Sequence, residues 1–142
     1  MWRTMMVMVW SLSAFAVAAE QSKSFGDFKV HYNAFNSSAL TPEIAKQYGI
    51  TRGANQGVVN IAVRNHAGGG DVASAAKVEG SVRNLLSQKV ALKFKEIREG
   101  DAIYYIAGYR FDNQDTMIFE LNIAPEGAAA NELIFNQTLD VR

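Results

Sequence analysis

From residue 27 onward, apolar side chains recur at every second position, the spacing that buries one face of a pleated strand. In DFKVHYNAF (27–35), Phe28, Val30 and Tyr32 alternate with Lys29, His31 and Asn33, and this predicts the first strand. Similar segments follow as VVNIAVRN (58–65), VASAAKVEGSVRN (72–84), KVALKFKEIR (89–98), AIYYIAGYRF (102–111), TMIFELNIA (116–124) and ELIFNQTLDV (132–141). In KVALKFKEIR, the pattern sets Val90, Leu92 and Phe94 on one face and Lys93 and Lys95 on the other. Gly, Asn, Asp or Pro separates each run from the next, and Glu99-Gly100 predicts a tight hairpin turn.

One segment departs from the period of two. Thr41 precedes Pro42 and Glu43, an N-cap followed by proline at the first helical position, and Gly49 closes the run after Tyr48. Ile44 and Tyr48 lie four apart and share a face, so TPEIAKQY predicts a short helix against the sheet.

The expected fold is all-β: an immunoglobulin-like two-sheet β-sandwich of about seven strands, with the short helix between the first two. An up-and-down barrel fits less well, because an odd strand number and a mid-chain helix interrupt its even meander. The Cys-Trp-Cys core of antibody domains is missing.

The N-terminus carries a different pattern. MWRTMMVMVWSLSAFAVAA (1–19) has a single charge at Arg3, an uncharged run and small residues at Ala18 and Ala19, the layout of a secretory signal peptide. Its apolar run is shorter than the roughly 20 residues that span a bilayer. Cleavage is expected before Glu20, leaving residues 20–142 as a single β-sandwich domain with no membrane span. Loss of Arg3 turns 14 basic against 14 acidic residues into 13 against 14, a net charge near −1. That balance gives no attraction for nucleic acid. Trp2 and Trp10 leave with the leader, and the chain has no cysteine, so packing of Phe, Tyr, Leu, Ile and Val must hold it together without disulfides or thiolate metal sites.

The run GDFKVHYNAFNSSALTPEIAKQYGITR, the segment VEGSVRNLL and REGDAIYYIAGYRF together resemble an uncharacterised family of small exported proteins from Gram-negative bacteria, known as a domain of unknown function. The resemblance covers nearly the whole mature chain, with YNAF, IAKQYGI and AIYYIA in the family's order. It implies a periplasmic or secreted location and a sandwich-like domain, and it brings no established activity, substrate or catalytic residue.

The residues themselves carry little chemistry. His31 and His66 are the two histidines, and neither has a second ligand at i+2 or i+4; a metal site needs both to converge with a carboxylate such as Asp27 or Asp71. There is no G-x-S-x-G elbow, and Gly68, Gly69 and Gly70 lack the Lys-Ser/Thr of a phosphate loop. Lys89, Lys93 and Lys95 form a basic stripe of the kind that solvates a sheet or guards an edge.

The segment AIYYIAGYRF is apolar on both sides. Ile103, Tyr105, Ala107, Tyr109 and Phe111 share one face; Ala102, Tyr104, Ile106, Gly108 and Arg110 share the other. Either the second face is a recognition surface, or the helix and the loop after it cover it as a minor core. Asn33 and Asn36, around Phe35 at the end of the first strand, suit turn hydrogen bonds and secondarily a polar ligand. The chain reads as a periplasmic or secreted, non-enzymatic binding or interaction module for a protein or envelope component, with Tyr104, Ile106, Asn33 and Asn36 as candidate partner-surface residues. No catalytic residue, cofactor or metal is assigned. A small-ligand or metal carrier and a hydrolase with dispersed catalytic residues are the alternatives.

Overall fold

The computed structural model describes residues 21–141; the expected leader and its cleavage point lie outside the described residues. Among the described residues, ten strands form two antiparallel sheets that face each other. The first sheet contains β1 (Gln21–Phe25), β2 (Phe28–Asn36), β3 (Gln56–Asn65), β8 (Ala102–Arg110) and β7 (Lys95–Glu99) in that order, with the short β4 (Val72–Ala73) also paired to β3. The second sheet has the order β10 (Asn131–Thr138), β9 (Thr116–Pro125), β5 (Ala76–Arg83) and β6 (Lys89–Ala91). This is the expected two-sheet sandwich, with more strands than the alternation indicated.

The additional strands have distinct physical origins. β1, QSKSF, is largely exposed and carries no alternation, so nothing in its pattern marks it as a strand; it is held by backbone pairing to β2, with Gln21 opposite Tyr32 and Phe25 opposite Phe28. The helix α1 (Pro42–Tyr48) therefore follows the second strand instead of the first. The other two arise where an expected strand changes sheet. Residues 72–84 break at Ser74 and Ala75, so β4 stays with the first sheet and β5 joins the second. Residues 89–98 break after Ala91, so β6 pairs with β5 while β7 pairs with β8. Alternation runs through both crossings because Leu92 and Phe94 still point into the space between the layers, where they join the core.

The crossings are pinned by hydrogen bonds. Ser74 donates its N–H to the Val63 carbonyl at 2.8 Å, Ala76 N–H reaches the Tyr105 hydroxyl at 2.8 Å, and Leu92 N–H reaches the Gly80 carbonyl at 2.9 Å. The Tyr105 hydroxyl in turn donates to Glu96 at 2.9 Å.

Between the sheets, Val30, Val59, Ile61, Val63 and Tyr105 meet Val82, Phe119, Leu121, Ile123 and Leu133. The Phe119 and Phe135 rings stack at 4.7 Å, Tyr32 lies 4.4 Å from Phe135, and Tyr109 meets Phe119 edge-on at 5.0 Å. Two glycines permit close approach here. A side chain at Gly57 would sit 2.6 Å from the Tyr109 ring, which lies across it; one at Gly80 would meet the Leu121 Cα at 2.8 Å and the Glu120 carbonyl closer still.

A second, smaller core lies outside the first sheet. The helix begins with the Ile44 N–H bonded to Thr41 Oγ1 and ends at Gly49 in the left-handed region, φ 72°. It and the residues on either side of it bring Leu40, Tyr48 and Ile50 against Val58, Ile97 and Ile106. Tyr48 donates a hydrogen bond to Glu99, tying the helix to the β7–β8 hairpin. No helix among the described residues is long and apolar enough to cross a membrane.

Gly80→Ala is expected to destabilise the protein by about 2 kcal/mol, because the obstruction is backbone that a neighbouring rotamer cannot relieve; urea denaturation measures it. The Tyr109 hydroxyl is buried without a partner, so Tyr109→Phe is expected to stabilise the fold by about 1 kcal/mol. A less stable Tyr109→Phe would mean that the hydroxyl is bonded in solution.

Candidate functional site

The outward face of the first sheet changes character from end to end. Strand alternation puts Lys29, His31, Asn33 and Phe35 of β2 on it, opposite Arg64, Ala62, Asn60 and Val58 of β3. β8 adds Ile106 opposite Asn60 and Gly108 opposite Val58, and β7 sets Ile97 beside Tyr104. Beneath the helix the face is apolar, in the middle it holds the two amides Asn33 and Asn60, and at the far end it is charged.

This settles which side of β8 is covered. Tyr105, Ala107 and Tyr109 enter the main core, and Ile106, only 6% exposed, lies in the second core below the helix. Tyr104 is half-buried at the border between that core and the charged end. Asn33 is half-buried on the outward face. Asn36 points the other way and is buried: its Nδ2 donates to the Asp140 carbonyl at 3.0 Å, and its Oδ1 accepts from Ser38 N–H at 3.1 Å and Ser38 Oγ at 2.9 Å. Asn36 thus ties the end of β2 to the segment after β10, and its polar atoms are committed to the fold. The structure does not bring the four candidate residues together as one surface.

What it does bring together is a concavity of about 400 Å³ at the charged end. Ala62 and Ala102 contribute to its lining, and their short side chains leave a depression between longer neighbours. Lys29, His31, Arg64, His66, Asp71 and Tyr104 also line it. The β3–β4 loop shapes one wall. Gly68 and Gly69 turn the chain with φ of 66° and 82°, a conformation that side chains resist, so these two glycines serve a tight turn. Asn65 Oδ1 accepts the Ala67 N–H at 2.9 Å, and His66 N–H reaches the Asp27 carbonyl at 2.8 Å.

The loop also fixes the side chains it carries. His66 Nδ1 lies 3.1 Å from the Gly70 carbonyl, which can only accept, so this nitrogen carries the proton. His66 Nε2 is shielded and lacks a hydrogen-bond partner; Asp71 Oδ1, at 3.8 Å, is beyond reach. Arg64 donates from Nε to Asp71 Oδ1 at 2.9 Å and from Nη2 to the Asp71 carbonyl at 3.1 Å. The Arg64 hydrogen bond holds the Asp71 carboxyl below its ordinary range. His31, His66 and Asp71 thus share one hollow, as a metal site would require. Among the described residues, however, no group of three or more His, Cys, Asp or Glu is arranged to hold a metal ion.

Lys29 and Arg64 were not singled out from sequence. The period of two sets Lys29 on the polar side of its strand, but that they lie side by side is a matter of β2–β3 register, which depends on the loop and helix between the strands.

The sequence profile of a domain of unknown function, DUF4426, matches residues 22–141. The chain belongs to the DUF4426 family. A crystal structure of a DUF4426 family protein from Pseudomonas aeruginosa superposes with a TM-score of 0.75 at 34% identity, covering 87% of this chain and 96% of that one. No curated protein matches the chain. The DUF4426 assignment agrees with the resemblance read from YNAF, IAKQYGI and AIYYIA, and it supplies the sandwich without an activity.

Because Arg64 lowers the Asp71 pKa in the folded chain, the pair favours folding above the unfolded carboxylate pKa, and this contribution is lost as pH falls through the folded value. An NMR titration is expected to place the Asp71 midpoint below that of an ordinary aspartate. In Arg64→Gln the midpoint is expected to move back up; an unchanged midpoint would remove Arg64 as the cause.

Proposed function

We propose that this DUF4426 protein is a non-enzymatic binding module, exported to the periplasm or beyond, whose first sheet holds an anionic group of a protein or envelope partner. One observation carries the reading: Lys29, His31, Arg64 and His66, from two strands and a loop, surround a hollow lined by alanines with a single carboxylate, Asp71, among them. Lys29 and Arg64 supply the donors, a grouping that suits a carboxylate or phosphate, while the His66 N–H is committed to the Gly70 carbonyl. Asp71 orients Arg64 and leaves its Nη1, together with Lys29 Nζ, as donors uncommitted among the described residues. Tyr104 at the rim offers an aromatic edge beside the charges, a combination favoured at recognition surfaces.

The test is site-specific photo-crosslinking in cells, with a photoreactive phenylalanine at Tyr104 and, as a control, at the exposed Asn122 on the opposite sheet. A single adduct is expected from position 104, recovered in the periplasmic or secreted fraction, and at least ~10-fold reduced in Lys29→Gln/Arg64→Gln, which removes two charge-assisted contacts. Equal adducts at both positions, or an adduct indifferent to the double substitution, would sink the proposal.

A further inference from the structure

At the far end of β8 from this hollow, the turn joining β5 to β6 exposes aliphatic side chains. Leu85 is 69% exposed, Leu86 80% and Val90 65%, the largest such group among the described residues. The turn is not frayed. Asn84 Oδ1 accepts the N–H groups of Leu86 and Gln88, each at 3.0 Å, Asn84 Nδ2 donates to Gln88 Oε1 at 2.7 Å, and Ser87 N–H reaches the Asn84 carbonyl at 3.0 Å. A hydrogen-bonded turn therefore holds two leucines out into water.

Val90 extends the patch. It lies opposite Val82 on the inward face of the second sheet, yet the first sheet does not reach over it. A cavity of about 240 Å³ opens there, lined by Val82, Val90, Leu92, Phe111 and Met117 with polar residues at the rim.

The charge carried by the hairpin segment itself is one-sided. From Arg83 to Lys95 the chain carries four basic residues, Arg83, Lys89, Lys93 and Lys95, and no acidic one. Glu120 on β9 approaches Arg83 at 3.7 Å and Lys89 at 3.9 Å, both loosely, and Lys93 has no ion pair among the described residues. Arg110, at the end of β8, and Asp112 and Asp115, in the connection from β8 to β9, also line the cavity.

We propose that the β5–β6 hairpin docks the protein on an anionic phospholipid surface. Leu85, Leu86 and Val90 enter the interface, and Lys89 and Lys93 meet the headgroups. Exposed aliphatic side chains flanked by lysines match the two parts of such a surface, an apolar interior under negative charge. The docked orientation points the hollow at the other end of β8 away from the lipid, roughly 26 Å distant for nine residues at strand spacing.

Sedimentation of the processed protein with vesicles tests this, using equal parts phosphatidylcholine and phosphatidylglycerol against phosphatidylcholine alone. The parent is expected to bind the anionic vesicles at least ~10-fold more strongly, and Leu85→Ser/Leu86→Ser to lose ~10-fold or more of that binding. Both leucines are exposed, so the variant should keep the parent's melting temperature. Lys89→Gln/Lys93→Gln should abolish the preference for anionic vesicles. Equal binding to both vesicles, or leucine and parent proteins that bind alike, would overturn the proposal. So would a parent that ignores vesicles and self-associates through the leucines, read by equilibrium sedimentation.

Discussion

Burial of β3 and β8 on both faces is the constraint on which the rest of the structure depends. Their inward side chains close the main core, and Val58 and Ile106 on the reverse side would face water unless something lay over them. The helix and the residues on either side of it do that, held by the Thr41 cap, the left-handed Gly49 and the Tyr48 bond to Glu99. The helix covers only one end of the sheet. At the uncovered end the outward positions are Lys29, His31 and Arg64, so the proposed binding hollow occupies the part of the face that the second core leaves open.

Much of this architecture was legible in the sequence. The alternation in β2, β3, β8, β9 and β10 located the strands, and Thr41-Pro42 with Gly49 located the helix to the residue or nearly so. The double apolarity of 102–111 posed the correct alternatives, a recognition face or a covered one, and the packing of Ile106 decides for cover. Three features were not legible. β1 owes its existence to pairing and not to burial. The two crossings that fall within a run of alternation keep the period of two, since the space between two layers is inside for either one. The grouping of Lys29, His31, Arg64, His66 and Asp71 depends on register and on a glycine turn, neither of which leaves a periodic mark.

Asn36 takes the structural role that its sequence position suggests. It sits where a strand gives way to a loop, and its side chain bonds the turn that follows. In the fold it faces inward, and both ends of its side chain are used to join the close of β2 to the chain after β10. Asn33, three positions earlier, has the opposite orientation by the arithmetic of a pleat, so the two amides never formed one surface. The hydrogen bonds that hold Leu85 and Leu86 in solvent are likewise local, and they make an apolar surface out of a rigid turn.

The two places where one continuous run of alternation passes from one sheet to the other have a further consequence. At Ser74–Ala75 and again across Leu92–Phe94 the layers are stitched together by the main chain itself, each stitch fastened by its own hydrogen bonds. Peeling the sheets apart would mean tearing those seams as well as opening the core. A sandwich with no thiol thereby gains a covalent seam between its halves that no reductant can cut and no oxidant is needed to complete.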